Sequence, residues 1–249
     1  MTPSMEKRLS NLIYTIMTYW SLKGKYLPED HPQTVRVRAI TNRINVALQR
    51  GIQEKSVWSD DKNCDRDQKF VESLNWEVFV VEKDEVNAFC LPGGKIVVYT
   101  KLLERFRTDT ELATVLGHEM AHAVARHGAE SITKFCLLDL FVFVLHECLP
   151  VLIYSNMMNY LLELPMYRRH EIEADHIGML LMAAAGYNPR IAPYVYKKFC
   201  QYRIPLGNYL FTHPEGERRA ELLNESRVMS QALFFFLPIK MQVFIRNPI

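Results

Sequence analysis

The sequence predicts an α+β protein, mostly helical, with a small β-sheet beside a central helix. Three observations lead to this fold class. Several long stretches place apolar residues three and four apart, the period of an amphipathic helix. Residues 76–100 instead form short runs of β-branched and aromatic residues, broken by a Pro-Gly-Gly turn. Directly after them, Thr108 and Glu111 make a Thr-x-x-Glu pair, a capping box that announces a new helix.

Taken in order, residues 5–23 read as a helix stopping near Gly24. The segment HPQTVRVRAITNRINVALQRG gives a second helix. Val35, Ile40, Ile44, Ala47 and Leu48 fall mostly at helical spacing, and Gly51 ends it. SVWSDDKNCDRDQ is polar and reads as a loop. WEVFVVEK, EVNAFCLPGG and KIVVYT then supply three extended pieces. The capped helix is expected to run unbroken from Thr108 to about residue 133, through GHEMAHAVARHGAESI. Residues 135–164 are strongly apolar but interrupted by Asp139, His146, Glu147 and Pro150. They read as buried helices, with helices lying against a membrane surface as the alternative. RRHEIEADHIGMLLMAAAGYNP is a further helix with GYNP as its stop, and YVYKKFCQY extends the helical content. THPEGERR reads as a turn-rich loop before a last helix, ELLNESRVMSQAL. The organisation expected is an N-terminal helical region at 1–65, a main domain at 66–230 with the apolar insertion at 135–164, and an apolar tail at 231–249.

The 249 residues are 49% hydrophobic and 23% charged, enough apolar content for a sizeable core. A net charge of +2 and basic residues that occur only in pairs argue against nucleic-acid binding. Cys64, Cys90, Cys136, Cys148 and Cys200 are odd in number, widely spaced and lack a C-x-x-C pair, which argues against a disulfide scaffold or a cysteine zinc site. The first residues, MTPSMEKRLSNLIYTIMTYW, lack the unbroken apolar run and small-residue cleavage site of a signal peptide, and the Arg-rich character of a transit peptide.

The chemistry concentrates in GHEMAH. On a helix, residues four apart are separated by about 40° and roughly 6 Å of rise, so His118 and His122 project side by side and can share one ion. Glu119 lies about 60° around from His122, aimed at a bound water rather than at the metal. This is the H-E-x-x-H arrangement of zinc hydrolysis. Such a site needs a third protein ligand. Glu171 and Asp175 are four apart on a predicted helix; Glu171 suits the ligand, and Asp175 suits a hydrogen bond from the outer nitrogen of a ligating histidine. Spacing alone leaves this reading level with a solubilising acidic cluster. Glu173 faces away and reads as solvated. His127, about 140° around from His122, reads as a helix-end hydrogen-bonding residue rather than a ligand. His31, His146, His170 and His176 receive no role, and Cys90 lies in the strand nearest the expected site.

Four blocks together resemble the gluzincin peptidases of family M48, the family of the CAAX prenyl protease. They are NAFCLPGG, GHEMAHAVARH, EIEADHIGMLLMAAAGYNP and THPEGERR, all within residues 76–223. HPQTVRVRAITNRINVALQRG, SVWSD and the apolar insertion are similar to the Oma-type mitochondrial inner-membrane metalloendopeptidases in their plant-like form. The resemblance implies a zincin-like, minimal gluzincin core. It implies His118, His122 and Glu171 as ligands of one zinc ion per chain, Glu119 as general base, and an active-site loop containing His213 with Arg219 nearby. His213 either donates to the oxyanion or rests on the zinc and blocks it. It also implies an edge strand, Asn87, Ala88 and Phe89, that takes an extended substrate through the main chain, with Asn87 reaching its backbone. Protein or peptide substrates, membrane proteins among them, membrane association, and a role in quality control and stress-triggered processing at the mitochondrial inner membrane follow from the resemblance; a homo-oligomer is compatible with it. Tyr167 stands where the family tends to have a small serine, and the C-terminal tail does not look like the family's end. These departures keep a second reading open, a zinc-binding paralogue that has lost cleavage and acts as a membrane-associated binding or assembly protein.

Overall fold

The computed structural model describes residues 2–17, 24–53, 64–145, 164–201 and 216–236. The described residues form helices α1 (Pro3–Met17), α2 (Pro32–Gln53) and α3 (Cys64–Glu72), then strands β1 (Glu77–Val81), β2 (Ala88–Leu91) and β3 (Lys95–Tyr99). Helices α4 (Thr100–Arg105), α5 (Asp109–Val124), α6 (His127–Leu145), α7 (Leu164–Ala184), α8 (Ala192–Gln201), α9 (Gly216–Asn224) and α10 (Ser226–Phe236) follow. The α+β, mostly helical class is the one the sequence predicts. Among the described residues no helix is long and apolar enough to cross a membrane. The centre of the apolar insertion, residues 146–163, and the tail beyond Phe236 lie outside the described residues.

The sheet has the order β1-β3-β2, with β1 parallel and β2 antiparallel to β3. Alternation along the strands gives it two apolar faces. Val78, Val80, Ile96 and Val98 join the main core, while Val81, Val97 and Tyr99 form a smaller cluster with Tyr26, Phe79 and Phe89. The outer edge of β1 is covered. Leu27 N–H donates to Val80 O at 2.9 Å, and Glu82 N–H donates to Lys25 O at 2.7 Å. On β2, Tyr99 N–H donates to Asn87 O at 3.0 Å, which marks that pair as hydrogen-bonded. Pairs then alternate, so the main-chain groups of Ala88 and Cys90 point off the sheet toward α5.

Helix α2 starts on Pro32, whose fixed φ and missing N–H suit a first turn. Its inward face is Val37, Ile40, Ile44 and Leu48, in the same core as the sheet. Val35, which the spacing put among the core residues, is exposed instead. The capping box at Thr108 and Glu111 forms in both directions, and Glu111 also takes an ion pair from Lys198 at 2.7 Å. Helix α5 is buried on nearly every side, because α2, β2, α7 and α8 all pack on it.

Three boundaries differ from the sequence expectation. Residues 64–68, expected as loop, open α3; Phe70 and Val71 from the end of that helix enter the core, and this tertiary anchor outweighs local polarity. Gly216–Arg219, also expected as loop, begin α9, which buries Ala220 and Leu223; the expected last helix is then divided at Glu225. The long helix expected from 108 to 133 breaks after Val124. Arg126 takes φ 60°, a left-handed conformation unusual for a residue with a side chain, and α6 starts afresh at His127. The Arg126 guanidinium is held by buried Glu6 of α1, with Nε to Oε1 at 2.9 Å, and lies 4.5 Å from the Phe70 ring centre.

Candidate metal centre

The site is built where α5 crosses α7. Gly117 and Gly178 meet at this crossing. A Cβ on Gly117 would stand 2.8 Å from Gly178 O, and one on Gly178 would stand 2.7 Å from His118 N. No other residue lets the two backbones come so close, and that approach brings the α5 histidines against the α7 carboxylates.

His118, His122 and Glu171 converge. The two Nε2 atoms are 3.1 Å apart, His118 Nε2 lies 3.4 Å from Glu171 Oε2, and His122 Nε2 lies 3.2 Å from Glu171 Oε1. Ligands at zinc bond lengths of about 2.05 Å in a tetrahedron would be about 3.3 Å apart. Two imidazole nitrogens and a carboxylate oxygen at this spacing therefore fit a zinc ion with one position left open. The electrostatics agree. Burial opposes protonation of His118, but Glu171 and Asp175 outweigh it and raise its pKa to about 9. The pocket draws positive charge, which a cation would supply in place of that proton.

Asp175 accepts from His118 Nδ1–H at 2.9 Å. Arg219 grips Asp175 with Nε and Nη2, each at 2.6 Å, and reaches Glu171 Oε2 through Nη1 at 2.8 Å. Its guanidinium also lies over the Tyr196 ring, 4.6 Å from the centre. Desolvation would push the Asp175 carboxyl up, but Arg219 and His118 hold it at about 2. Arg219, expected at the oxyanion, is 2% exposed and holds the two carboxylates. His213, expected in the same loop, lies outside the described residues.

Glu119 is buried on α5 facing β2, and its Oε2 accepts from Cys90 N–H at 3.1 Å. Desolvation raises its pKa, with His118, His122 and the Cys90 N–H pulling the other way. The edge strand thus presents its main chain at the base of the site. Its side chains point elsewhere. Asn87 is buried with no partner for Oδ1 among the described residues, Ala88 is fully buried, and Phe89 packs in the smaller cluster.

His127, expected as a helix-end hydrogen-bonding residue, opens α6 and makes such contacts, but with partners that helical spacing did not indicate. His127 Nδ1 lies 2.9 Å from His122 Nδ1, and its Nε2 lies 3.3 Å from Glu173 Oε2. His170 stacks on His127 with ring centres 4.2 Å apart, and its Nε2 lies 3.2 Å from Glu130 Oε2. Burial, with His122 and His170 adjacent, lowers the His127 pKa to about 4. On an unbroken helix His127 would point away from His122; the turn at Arg126 brings it back. Nothing local in the sequence marks that turn, since the left-handed position is an arginine rather than a glycine.

The chain matches the sequence model of peptidase family M48 over residues 62–227. It is 38% identical over 273 residues to the mitochondrial metalloendopeptidase OMA1 of Arabidopsis thaliana, covering 88% of this chain and 56% of that protein. It is 29% identical to the Saccharomyces cerevisiae protein of the same name, covering 85% of this chain and 61% of that one. The human metalloendopeptidase OMA1, mitochondrial, is 32% identical over 68% of this chain and 35% of its own length. The chain spans little more than half the length of the plant and yeast relatives.

Proposed function

Because the chain belongs to peptidase family M48, we propose that it is a zinc-dependent metalloendopeptidase, with His118, His122 and Glu171 holding the ion and Glu119 as general base. The observation that carries this reading is the convergence of the three ligand atoms within 4.8 Å, with the buried Glu119 carboxylate on the helix of the two histidines. When bound, zinc acidifies a water molecule and polarises the scissile carbonyl. Glu119 takes the attacking water's proton and passes it to the leaving amine. Its raised pKa suits a group that must hold that proton briefly. Asp175 fixes the Nδ1–H tautomer of His118, which makes Nε2 the ligating nitrogen. Arg219 holds Asp175 and Glu171 in place, and His213 is the remaining candidate to stabilise the oxyanion.

The substrate is an extended stretch of protein lying along Asn87, Ala88 and Phe89. The outward main-chain groups of Ala88 suit β-pairing, which reads backbone rather than sequence, while the Cys90 N–H is held by Glu119. The relatives named as mitochondrial enzymes support a mitochondrial setting. Resemblance to the Oma-type enzymes extends this to membrane-protein substrates, quality control and stress-triggered processing at the inner membrane.

The test is zinc content together with cleavage of an unfolded protein substrate. The wild-type chain should carry about one zinc. Glu119→Gln should keep that zinc and lose at least about 100-fold in cleavage rate. A folded chain without zinc, or a Glu119→Gln variant that cleaves normally, would overturn the proposal.

A further inference from the structure

The two histidines of the centre are supported from behind by different chemistry. His118 Nδ1 rests on Asp175, while His122 Nδ1 rests on another imidazole, His127. A nitrogen–nitrogen contact of 2.9 Å requires a proton on one atom and a lone pair on the other. A metal ion held between His122 Nε2, His118 Nε2 and Glu171 takes the His122 lone pair on that side and so leaves its proton on Nδ1. His127 Nδ1 must then be the acceptor and its proton must sit on Nε2, which faces Glu173 at 3.3 Å. With Nε2 given to the metal, one assignment follows: His122 Nδ1–H donates to His127 Nδ1, and His127 Nε2–H donates to the Glu173 carboxylate. The His127 ring is held for this by its burial and by stacking on His170 at an interplanar angle of 10°.

We propose that His127, backed by Glu173, is the positioning residue for the ligand His122, as Asp175 is for His118; this rests on the metal-centre reading above. The two supports are unequal. Asp175 is buried and ion-paired, whereas the Glu173 side chain is 59% exposed. The His122 side is therefore the arm of the centre that a hydrogen-bonded chain connects to solvent.

The experiment is chelator competition for zinc on the full chain, with imidazole N–H signals followed by NMR in the loaded protein. His127→Ala should weaken zinc binding by about 10–100-fold, and a slowly exchanging Nδ1–H signal of His122 should disappear. His127→Gln, whose amide oxygen can accept the same proton, should recover much of the affinity. Glu173→Ala, at the exposed end, should cost less than His127→Ala. Unchanged affinity and an unchanged Nδ1–H signal in His127→Ala would overturn the proposal and leave the metal centre standing. If His127→Ala does not fold, His127→Gln decides: loss of zinc binding in that folded variant overturns it. A wild-type chain that takes up no zinc overturns both readings.

Discussion

Gly117 of α5 and Gly178 of α7 touch backbone to backbone, and the candidate metal centre begins with His118, one residue beyond that contact. Cβ atoms added at either would sit within 2.8 Å of the opposing main chain. The pair sets the distance from His118 to Glu171 and Asp175, so small changes here should reach the site without altering any ligand.

Gly178→Ala should destabilise the fold by roughly 1–3 kcal/mol through overpacking, and should weaken zinc binding as the helices part. Urea denaturation and zinc competition on the same variant check this. An alanine variant equal to wild type in both would show that the helices can separate at no cost.

Arg219 holds two buried carboxylates, so removing it takes away the guanidinium that bridges them and leaves them to their histidine contacts. Arg219→Met should cost about 3–5 kcal/mol in stability. Arg219→Lys should recover only part of this, because an ammonium cannot reproduce the paired Nε and Nη2 contacts to Asp175. Denaturant midpoints of the three proteins give the comparison.

Glu6 and Arg126 link α1 to the turn after the active-site helix. Arg126→Met should cost about 3 kcal/mol by leaving the Glu6 carboxylate buried without its partner. Arg126→Gly suits the φ of 60° but loses the same ion pair and the contact with Phe70, so it should also fall below wild type in thermal denaturation.

Acid sensitivity should have a defined component at Glu111. Burial raises its pKa, but Lys198 and the Thr108 cap outweigh this and leave it below 4.5. The folded state thus favours the ionised form. The stabilisation is complete above about pH 4.5 and is lost as pH falls through the lowered folded-state value. Glu111→Gln should be less stable than wild type by about 1 kcal/mol at pH 7, with the gap closing toward pH 3. Urea midpoints against pH would show parallel curves if Glu111 contributed nothing.

The thiols should differ in reactivity. Desolvation and the neighbouring Glu119 push Cys90 well above its ordinary pKa, whereas Cys136 is exposed on α6. At pH 8 a maleimide should modify Cys136 well before Cys90, as read by mass spectrometry of the peptides. Faster labelling of Cys90 would contradict the desolvation of its thiol on β2 next to Glu119.

Much of this protein was legible in the sequence because the signals were local and periodic. Val- and Ile-rich runs marked β1 and β3, the Pro-Gly-Gly turn marked the end of β2, Thr108 and Glu111 marked the start of α5, and the four-residue spacings of His118 with His122 and of Glu171 with Asp175 put each pair on one helical face. Periodicity could say that each pair shares a face, but not that the two faces meet. That was decided by Gly117 against Gly178, two positions whose meaning exists only once the helices pack. The same holds for His127, Glu173 and Arg219. A helical wheel pointed His127 away and rightly left Glu173 largely in solvent; an ion pair between residues 6 and 126 stabilises a left-handed turn that no local preference favours, and this turn directs His127 onto His122. Spacing along a chain fixes directions within one element, whereas contacts between elements depend on where distant side chains find partners, and those the fold alone supplied.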